Sequence, residues 1–400
     1  MVPGREWTEP PGRWHLVQDE GASEEQLAEI ERLKTIGYLG GTTEAPDVSG
    51  VTVHEAGAYA GLNFYTSGHF PGAILMDMEG NTLHTWQYDF IDAWRTGARE
   101  ELPPNPKPAG FWRRAHLFRN GDVLAVFDGL GLIKVDRNSE LIWAYLGGAH
   151  HDFEVWEDGT IYVLTREAHV NPEINPEDPV LEDYVTVLDE HGREIRRVSL
   201  YEAFVNSRFS AALEGMAESG DIFHTNTIEV LDGAHADAVP AFARGNVLFC
   251  VREIDVVGAL DMDREIVTWA IEQPWEKPHQ STILPSGNML IFDNRGYWGR
   301  SRVIEFDPAT MQIVWAYQGE EPDDFYSETC GSNQRLPNGN TLITESDRGR
   351  AFEVGPDGTI VWEYVNPSHA GDQNQFIASI FEMLRIESDY PGPWLDRAPE

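Results

Sequence analysis

Three histidines stand at the heads of similar hairpins. His151 opens "HDFEVWEDGTIYVL", His224 opens "HTNTIEV" and His279 opens "HQSTILPSGNMLIFD". Counted from the turn glycines, His151 lies eight residues before Gly159 and His279 eight before Gly287, while Gly331 holds that slot before Gly339. In the preceding hairpin, "HLFRNGDVLAVFD", the slot falls on Arg113, with His116 three residues on. His224 and Asn226 flank the equivalent place in a hairpin with a longer turn. Arg252, ending "NVLFCVRE", closes the hairpin that His224 opens.

Gathered together, these residue types can move a charged group between oxygens. Neutral imidazole is a competent nucleophile near pH 7, and a neighbouring imidazolium can protonate a leaving oxygen. Crowded histidines suppress one another's protonation, which keeps one available as nucleophile. Asn226 and Arg252 are the fixed donors that would stabilise an anionic group in transfer, with Arg113 or His116 nearby. Arg252 is equally well read as a surface arginine paired with Glu253. Three imidazoles could instead hold zinc or copper, which would make the protein a metal-dependent hydrolase or lactonase, although no local motif such as H-E-x-x-H is present. A third reading is a non-catalytic recognition or assembly module whose histidines merely fill space. His15, His54, His84, His191 and His369 match no repeat position and are read as locally satisfied.

The elements that must bring such distant residues together are legible as a repeat of about 50 residues. One half of the unit is a turn followed by a strand with a central aromatic, as in "LIKVDRNSELIWAY" (132–145) and "AFEVGPDGTIVWEY" (351–364), and it occurs six times. The other half is the hairpin described above, built on Asn-Gly, Asp-Gly or Ser-Gly turns. Two hairpins per unit make a four-stranded antiparallel sheet, and six such units predict an all-β six-bladed β-propeller. A linear solenoid would need polar capping repeats, which the sequence lacks. Inner strands of successive blades line a channel, so matched positions converge at one mouth. Residues 57–74 are expected to supply the first blade's inner hairpin, and "ASIFEMLRI" (378–386) to lend a strand to the first or sixth blade. An extra, helical segment is expected around 199–222.

The expected domain division is residues 1–50 as an N-terminal extension and 51–400 as the propeller. Within the extension, Ser23 and Gln26 form a capping box, Leu27, Ile30 and Leu33 a stripe, and Gly37 a stop: one packing helix.

The 400 residues carry a net charge of -38 with a pI near 4.5, which argues against binding nucleic acid or anionic membranes. Only four of the 29 basic residues are lysines, a composition that predicts a salt-adapted surface; stability should fall as salt is withdrawn, and indifference to salt would refute this. Cys250 and Cys330 fit no metal spacing and are read as buried free thiols. No segment is apolar enough to span a bilayer, and no signal peptide is visible at the start.

The phrases "HHDFEV", "HTNTIEV" followed by "VRE", "HQSTILPSGNMLIFDN", "QRLPNGNTLITES" and the closing "IFEMLRIESDYPG" resemble the bacterial PAPS-independent aryl sulfotransferases of propeller type, over residues 57–392. The resemblance implies that His279 is a nucleophile that becomes transiently sulfurylated. His151, His224, Asn226 and Arg252 would then contact the sulfuryl group or assist proton transfer. It further implies a ping-pong reaction between a phenolic sulfate donor and a phenol acceptor, with no cofactor. Members of that family are commonly exported and many carry an N-terminal β-rich domain; this sequence shows only a helix and a short lead-in. Phe64, Tyr65 and Trp298 are candidates to hold an aryl ring, with blade packing as the alternative.

Overall fold

A computed structural model describes residue 23, residue 26 and residues 46–96, 110–294, 300–321, 324–370 and 374–395. Its strands form six sheets in a ring, each antiparallel along its main path, so the chain is a six-bladed β-propeller. All six outer hairpins fall where the aromatic-centred phrases place them, from Gly72–Met76 with Thr82–Gln87 to Arg350–Val354 with Ile360–Val365. Five inner hairpins do the same: Arg114–Leu117 with Val123–Phe127, Ala149–Val155 with Ile161–His169, Thr225–Val230 with Val247–Val251, Pro278–Ile283 with Met289–Asp293, and Ser332–Arg335 with Thr341–Glu345.

The first blade is built differently from the expectation. Residues 57–74 do not supply its inner hairpin: Leu62–Ser67 pairs outward with Gly72–Met76, and the innermost strand is Ile380–Ile386 from the far end of the chain. The strand Gly50–His54 adds a fifth, outermost strand to the sixth blade, so the ring takes in residues ahead of the repeat. Both chain ends thus bridge the first and sixth blades, which pairs edges that an open stack would leave bare.

Each inner turn glycine has positive φ (89° at Gly121, 87° at Gly159, 84° at Gly245, 86° at Gly287, 91° at Gly339), the conformation only glycine adopts without cost. The outer-strand tryptophans explain the aromatic centre of four of the six repeats. Their indole N–H donates into the next blade's turn: Trp86 to the Gly121 carbonyl at 2.9 Å, Trp143 to Glu190 at 3.2 Å, Trp315 to Pro356 at 3.1 Å and Trp362 to Met78 at 3.0 Å. Alternate faces of one strand serve two junctions. Val247, Phe249 and Val251 pack toward the third blade, whereas Leu248 and Cys250 pack toward the fifth. Both thiols are free and buried, and burial pushes that of Cys250 up to about 11.

Within 199–222 the chain forms a helix, Leu200–Val205, capped by the Ser199 hydroxyl, then a 3₁₀ turn at Ser210–Leu213 and the short strand Gly220–Asp221. In the extension, Ser23 and Gln26 make the reciprocal capping-box bonds (3.2 and 2.7 Å), and the Gln26 amide reaches the Pro176 carbonyl at 3.5 Å. Leu27, Ile30, Leu33 and Gly37 lie outside the described residues.

Candidate active site

The inner strands of the third, fourth and fifth blades share an irregularity at the end where the histidines sit. Register slips between the pairs Phe153–Val163 and Ala149–Thr165, between Thr225–Val251 and Thr227–Cys250, and between His279–Phe292 and Thr282–Leu290. Non-glycine residues there take left-handed backbone: His151 (φ 49°), His224 (φ 52°) and Gln280 (φ 41°). Bulges of this kind re-aim side chains, and left-handed backbone outside glycine costs energy that the surrounding fold must offset.

The result is a buried cluster of imidazoles. The His151 and His224 rings lie 4.8 Å apart at 67°, and His150 meets His151 at 5.1 Å with their Nδ1 atoms 2.9 Å apart. His279 joins them electrostatically. Burial holds its pKa well below the ordinary 6.5, and the charges of Arg113, His224 and Arg252 act on it in the same direction. His151 is held low by burial, then by His224, Arg113, His150 and Arg166. Mutual suppression among the histidines is therefore present, but burial is the larger cause.

Each ring is anchored. His279 Nδ1 faces the Lys277 carbonyl at 3.1 Å, and because a carbonyl only accepts, Nδ1 carries the proton and Nε2 keeps the lone pair. His224 Nδ1 lies 2.7 Å from the Asp221 carboxylate, and His151 Nδ1 3.4 Å from that of Asp128. Arg252 donates its backbone N–H to the His224 carbonyl at 3.2 Å, closing the hairpin as expected. Its guanidinium pairs with Glu253, as one reading expects, although the side chain is largely buried rather than on the surface, and its charge also reaches His279. Arg113 is buried, its charge reaches His151 and His279, and its guanidinium lies 5.2 Å from the Phe381 ring centroid.

Asn226 is buried beside the cluster, yet its amide is partly committed. Nδ2 donates to the Pro278 carbonyl at 2.8 Å, tying the fourth blade to the strand that carries His279, while Oδ1 has no hydrogen-bond partner. His116 is not brought into the group. Its electrostatic neighbours are Arg114 and Lys134, its ring packs on Phe118, and burial lowers its pKa to about 4. Three residues along a strand is about 10 Å, which carries it deeper into the blade. Phe64 packs on Trp86 and the Tyr65 hydroxyl bonds that of Tyr364, so both are blade packing; Trp298 lies outside the described residues. At the mouth the rings present are Phe111 and Phe381, stacked 4.8 Å apart beside Cys330.

Of the histidines read as locally satisfied, three have a partner close in space, His369 Nε2 is buried with no hydrogen-bond partner, and His15 lies outside the described residues. His84 meets the Arg137 carbonyl at 2.8 Å, His54 lies 3.9 Å from Glu79, His191 lies 3.6 Å from Glu190, and His369 falls on a two-stranded ribbon.

Besides His150, four partners were missed by the sequence reading: Asp128, Arg166, Asn294 and Asp221. Three share a signal. Seven residues after each inner turn glycine stand Asp128, Arg166, Arg252, Asn294 and Ser346 in successive blades, so the far ends of the hairpins form a second matched set. Asp128 bonds the His151 backbone N–H at 3.2 Å, Asn294 bonds His279 and Arg166 bears on His150 and His151. Asp221 comes from the inserted segment and had no such signal.

Asp128, His150 and His151 offer ligand atoms within 4.8 Å of one another. They do not fit a divalent cation well. The charges of Arg113 and Arg166 bear on His151, and a dication would meet two guanidiniums in a buried site.

The family model for arylsulfotransferase (ASST) matches residues 114–367. None of the curated proteins matches. A protein of unknown function from Bacteroides caccae has a TM-score of 0.52 at 10% identity, over 81% of this chain and 98% of that one, and shares the fold. Streptogramin B lyase gives 0.44 at 12% identity, over 84% and 96%. The matched segment holds the hairpins that carry His151, His224, His279 and Arg252, and the chain belongs to the arylsulfotransferase family of sulfotransferases, whose substrates are small molecules.

Proposed function

We propose that this sulfotransferase works without PAPS, moving a sulfuryl group from a phenolic sulfate ester to a phenol by way of a sulfohistidine at His279. The observation that carries this reading is the setting of His279: buried, with Nδ1 turned to the Lys277 carbonyl, and with burial first, then the charges of Arg113, His224 and Arg252, holding its pKa well below the ordinary 6.5.

In the first half-reaction the Nε2 lone pair attacks sulfur and the bond from sulfur to the aryl oxygen breaks, its electron pair leaving with the oxygen. His224, held by Asp221, supplies the proton that turns phenolate into phenol. In the second half-reaction the acceptor phenol attacks the sulfur of sulfohistidine. Its proton passes to the base, and the pair of the N–S bond returns to Nε2. Sulfuryl transfer, like phosphoryl transfer, develops charge on peripheral and leaving oxygens, so placed cations supply much of the catalysis. Arg113 and Arg252 are the cations that face the nucleophile, Asn226 keeps one amide hydrogen for an oxygen, and the stacked Phe111–Phe381 pair offers an apolar wall for an aryl ring.

Incubation with 4-nitrophenyl sulfate should release at most one equivalent of nitrophenolate per protein without acceptor, and sustained turnover only when a phenol is present. His279→Ala should lower that release by at least about 1,000-fold. Equal release by the variant would overturn the assignment of the nucleophile.

The propeller itself is proposed to span residues 51–400, with the first 50 as an extension whose last residue, Gly50, already begins the outermost strand of the sixth blade.

A further inference from the structure

The second contact of His279 Nδ1 is the Asn294 Oδ1 atom, at 2.6 Å. Which end of an amide is which is settled here by its other neighbours. The Asn294 nitrogen lies 3.0 Å from the Ser327 carbonyl and 2.5 Å from the Cys330 carbonyl, and carbonyls only accept. The group facing them is therefore NH2, the group facing His279 is oxygen, and the imidazole atom that bonds it must carry hydrogen.

This mount is buried and cross-braced. Asn294, Ser301 and Ser327 are fully buried, and the Ser301 hydroxyl donates to the Asn294 carbonyl at 2.7 Å. The Ser327 N–H donates to the Ser301 hydroxyl at 2.9 Å. Asp347 of the sixth blade accepts from both the N–H and the hydroxyl of Thr329, each at 2.9 Å, which straps the loop that offers the two carbonyls. The sixth blade's vacant slot now has a reason. A Cβ on Gly331 (φ 127°) would come within 2.5 Å of the Phe292 ring, so only glycine lets the loop press close enough for Cys330 to reach Asn294. Where other blades place a side chain at the mouth, the sixth places backbone that holds the partner of the nucleophile.

We infer that Asn294 is a positioning residue for the reaction: clamped by the Ser327 and Cys330 carbonyls, its Oδ1 holds the His279 ring in one orientation with Nε2 unprotonated. This rests on His279 being the nucleophile. It differs from the carboxylate at His224 in charge: a neutral amide oxygen favours imidazolium far less than a carboxylate does, so it fixes the ring while burial and the neighbouring cations keep His279 a free base. The charged and titratable groups facing His279 are Arg113, Arg252 and His224, all of which disfavour its protonation; the Lys277 carbonyl favours it.

The test uses the full chain labelled with ¹⁵N-histidine. Without substrate, the wild-type His279 ring should show a protonated Nδ1 and an unprotonated Nε2. In Asn294→Leu both nitrogens should move toward tautomer-averaged positions, and kcat with 4-nitrophenyl sulfate and phenol should fall about 10–100-fold, with KM changing less than about 3-fold. Asn294→Asp retains the acceptor but adds charge, so the acid limb of its kcat/KM profile should rise by about one pH unit or more. Wild-type ring nitrogens in Asn294→Leu, or a wild-type acid limb in Asn294→Asp, would overturn the inference. Should the leucine variant fail to fold, the acid limb of the aspartate variant decides alone. If the unaltered protein transfers no sulfuryl group, the proposed function falls, and the ring nitrogens still report on Asn294.

Discussion

The channel has two tiers, made from the same inner strands and built on opposite principles. At the mouth the strands are bulged, three residues take left-handed backbone, and the imidazoles are held through Nδ1 by carbonyl or carboxyl oxygens. One step deeper the same strands carry carboxylates, each bonded to the backbone of the next blade. Asp152 accepts from the Ile228 N–H at 2.9 Å, Glu229 from that of Ile283 at 2.8 Å, and Glu154 from that of Val230. Arg114 spans the second, third and first blades, bonding Asp152 at 2.7 Å and Glu382. In the deep tier polar groups are spent on joining blades. At the mouth they are held ready and the backbone carries the strain. The proposed reaction groups stand on a strained rim, and the rim is tolerated because the tier beneath it is stapled.

That contrast can be broken from either side. His224→Gly removes the proposed proton carrier and gives the left-handed position the residue it favours. Activity should fall about 100- to 10,000-fold, whereas the unfolding free energy should change by no more than about 1 kcal/mol, because relief of backbone strain offsets the lost contacts. Activity assays paired with denaturant melts check this, and a large loss of stability would mean that the rim is structural after all.

In the deep tier the expected effects reverse. Asp152→Ala leaves Arg114 with only part of its compensation and strips the Ile228 N–H of its acceptor, both in buried surroundings. Unfolding should become easier by about 3–5 kcal/mol. The protein that remains folded should keep His279 protonated on Nδ1, as ring-nitrogen spectra would report. A melt unchanged from wild type would show that the carboxylates are not staples.

The two tiers were not equally legible in the sequence. Turn glycines and outer tryptophans are local signals with a period, and they placed eleven of the hairpins. The first blade's inner strand could not be placed as surely, because its pairing partner lies more than 300 residues away and no local chemistry marks the exchange. The histidines were found by counting from the turns, since pseudosymmetry turns equal offsets into shared space. His116 failed by the same arithmetic: it was kept for its residue type although three residues of strand separate it from the slot. His150 was passed over for the opposite reason. Strict alternation would point it away from its neighbour, and the bulge at residues 150–152 breaks that alternation. The carboxylate tier left no mark, because a buried glutamate and a surface glutamate are the same letter.

The smallest effect is the one that measures the deep tier most directly. Burial raises the Glu229 pKa to about 8, against 4.5 for the free carboxyl, with the charges of Glu154, Asp232 and Asp152 adding to the rise. Folded protein therefore retains a proton that the unfolded chain releases between pH 4.5 and 8. Stability from this group is complete below that window, declines as pH rises through it and is flat above about 8. Glu154, raised to about 7, acts in the same direction, so the signal must be read as a difference. Glu229→Gln keeps an oxygen for the Ile283 N–H but cannot titrate. Between pH 5 and 8 its unfolding free energy should fall less steeply than wild type, by up to about 1.4 kcal/mol per pH unit, the slope of one proton. Parallel pH profiles for the two proteins would mean that Glu229 is ionised in the fold, and that the tier beneath the histidines holds its charges rather than its protons.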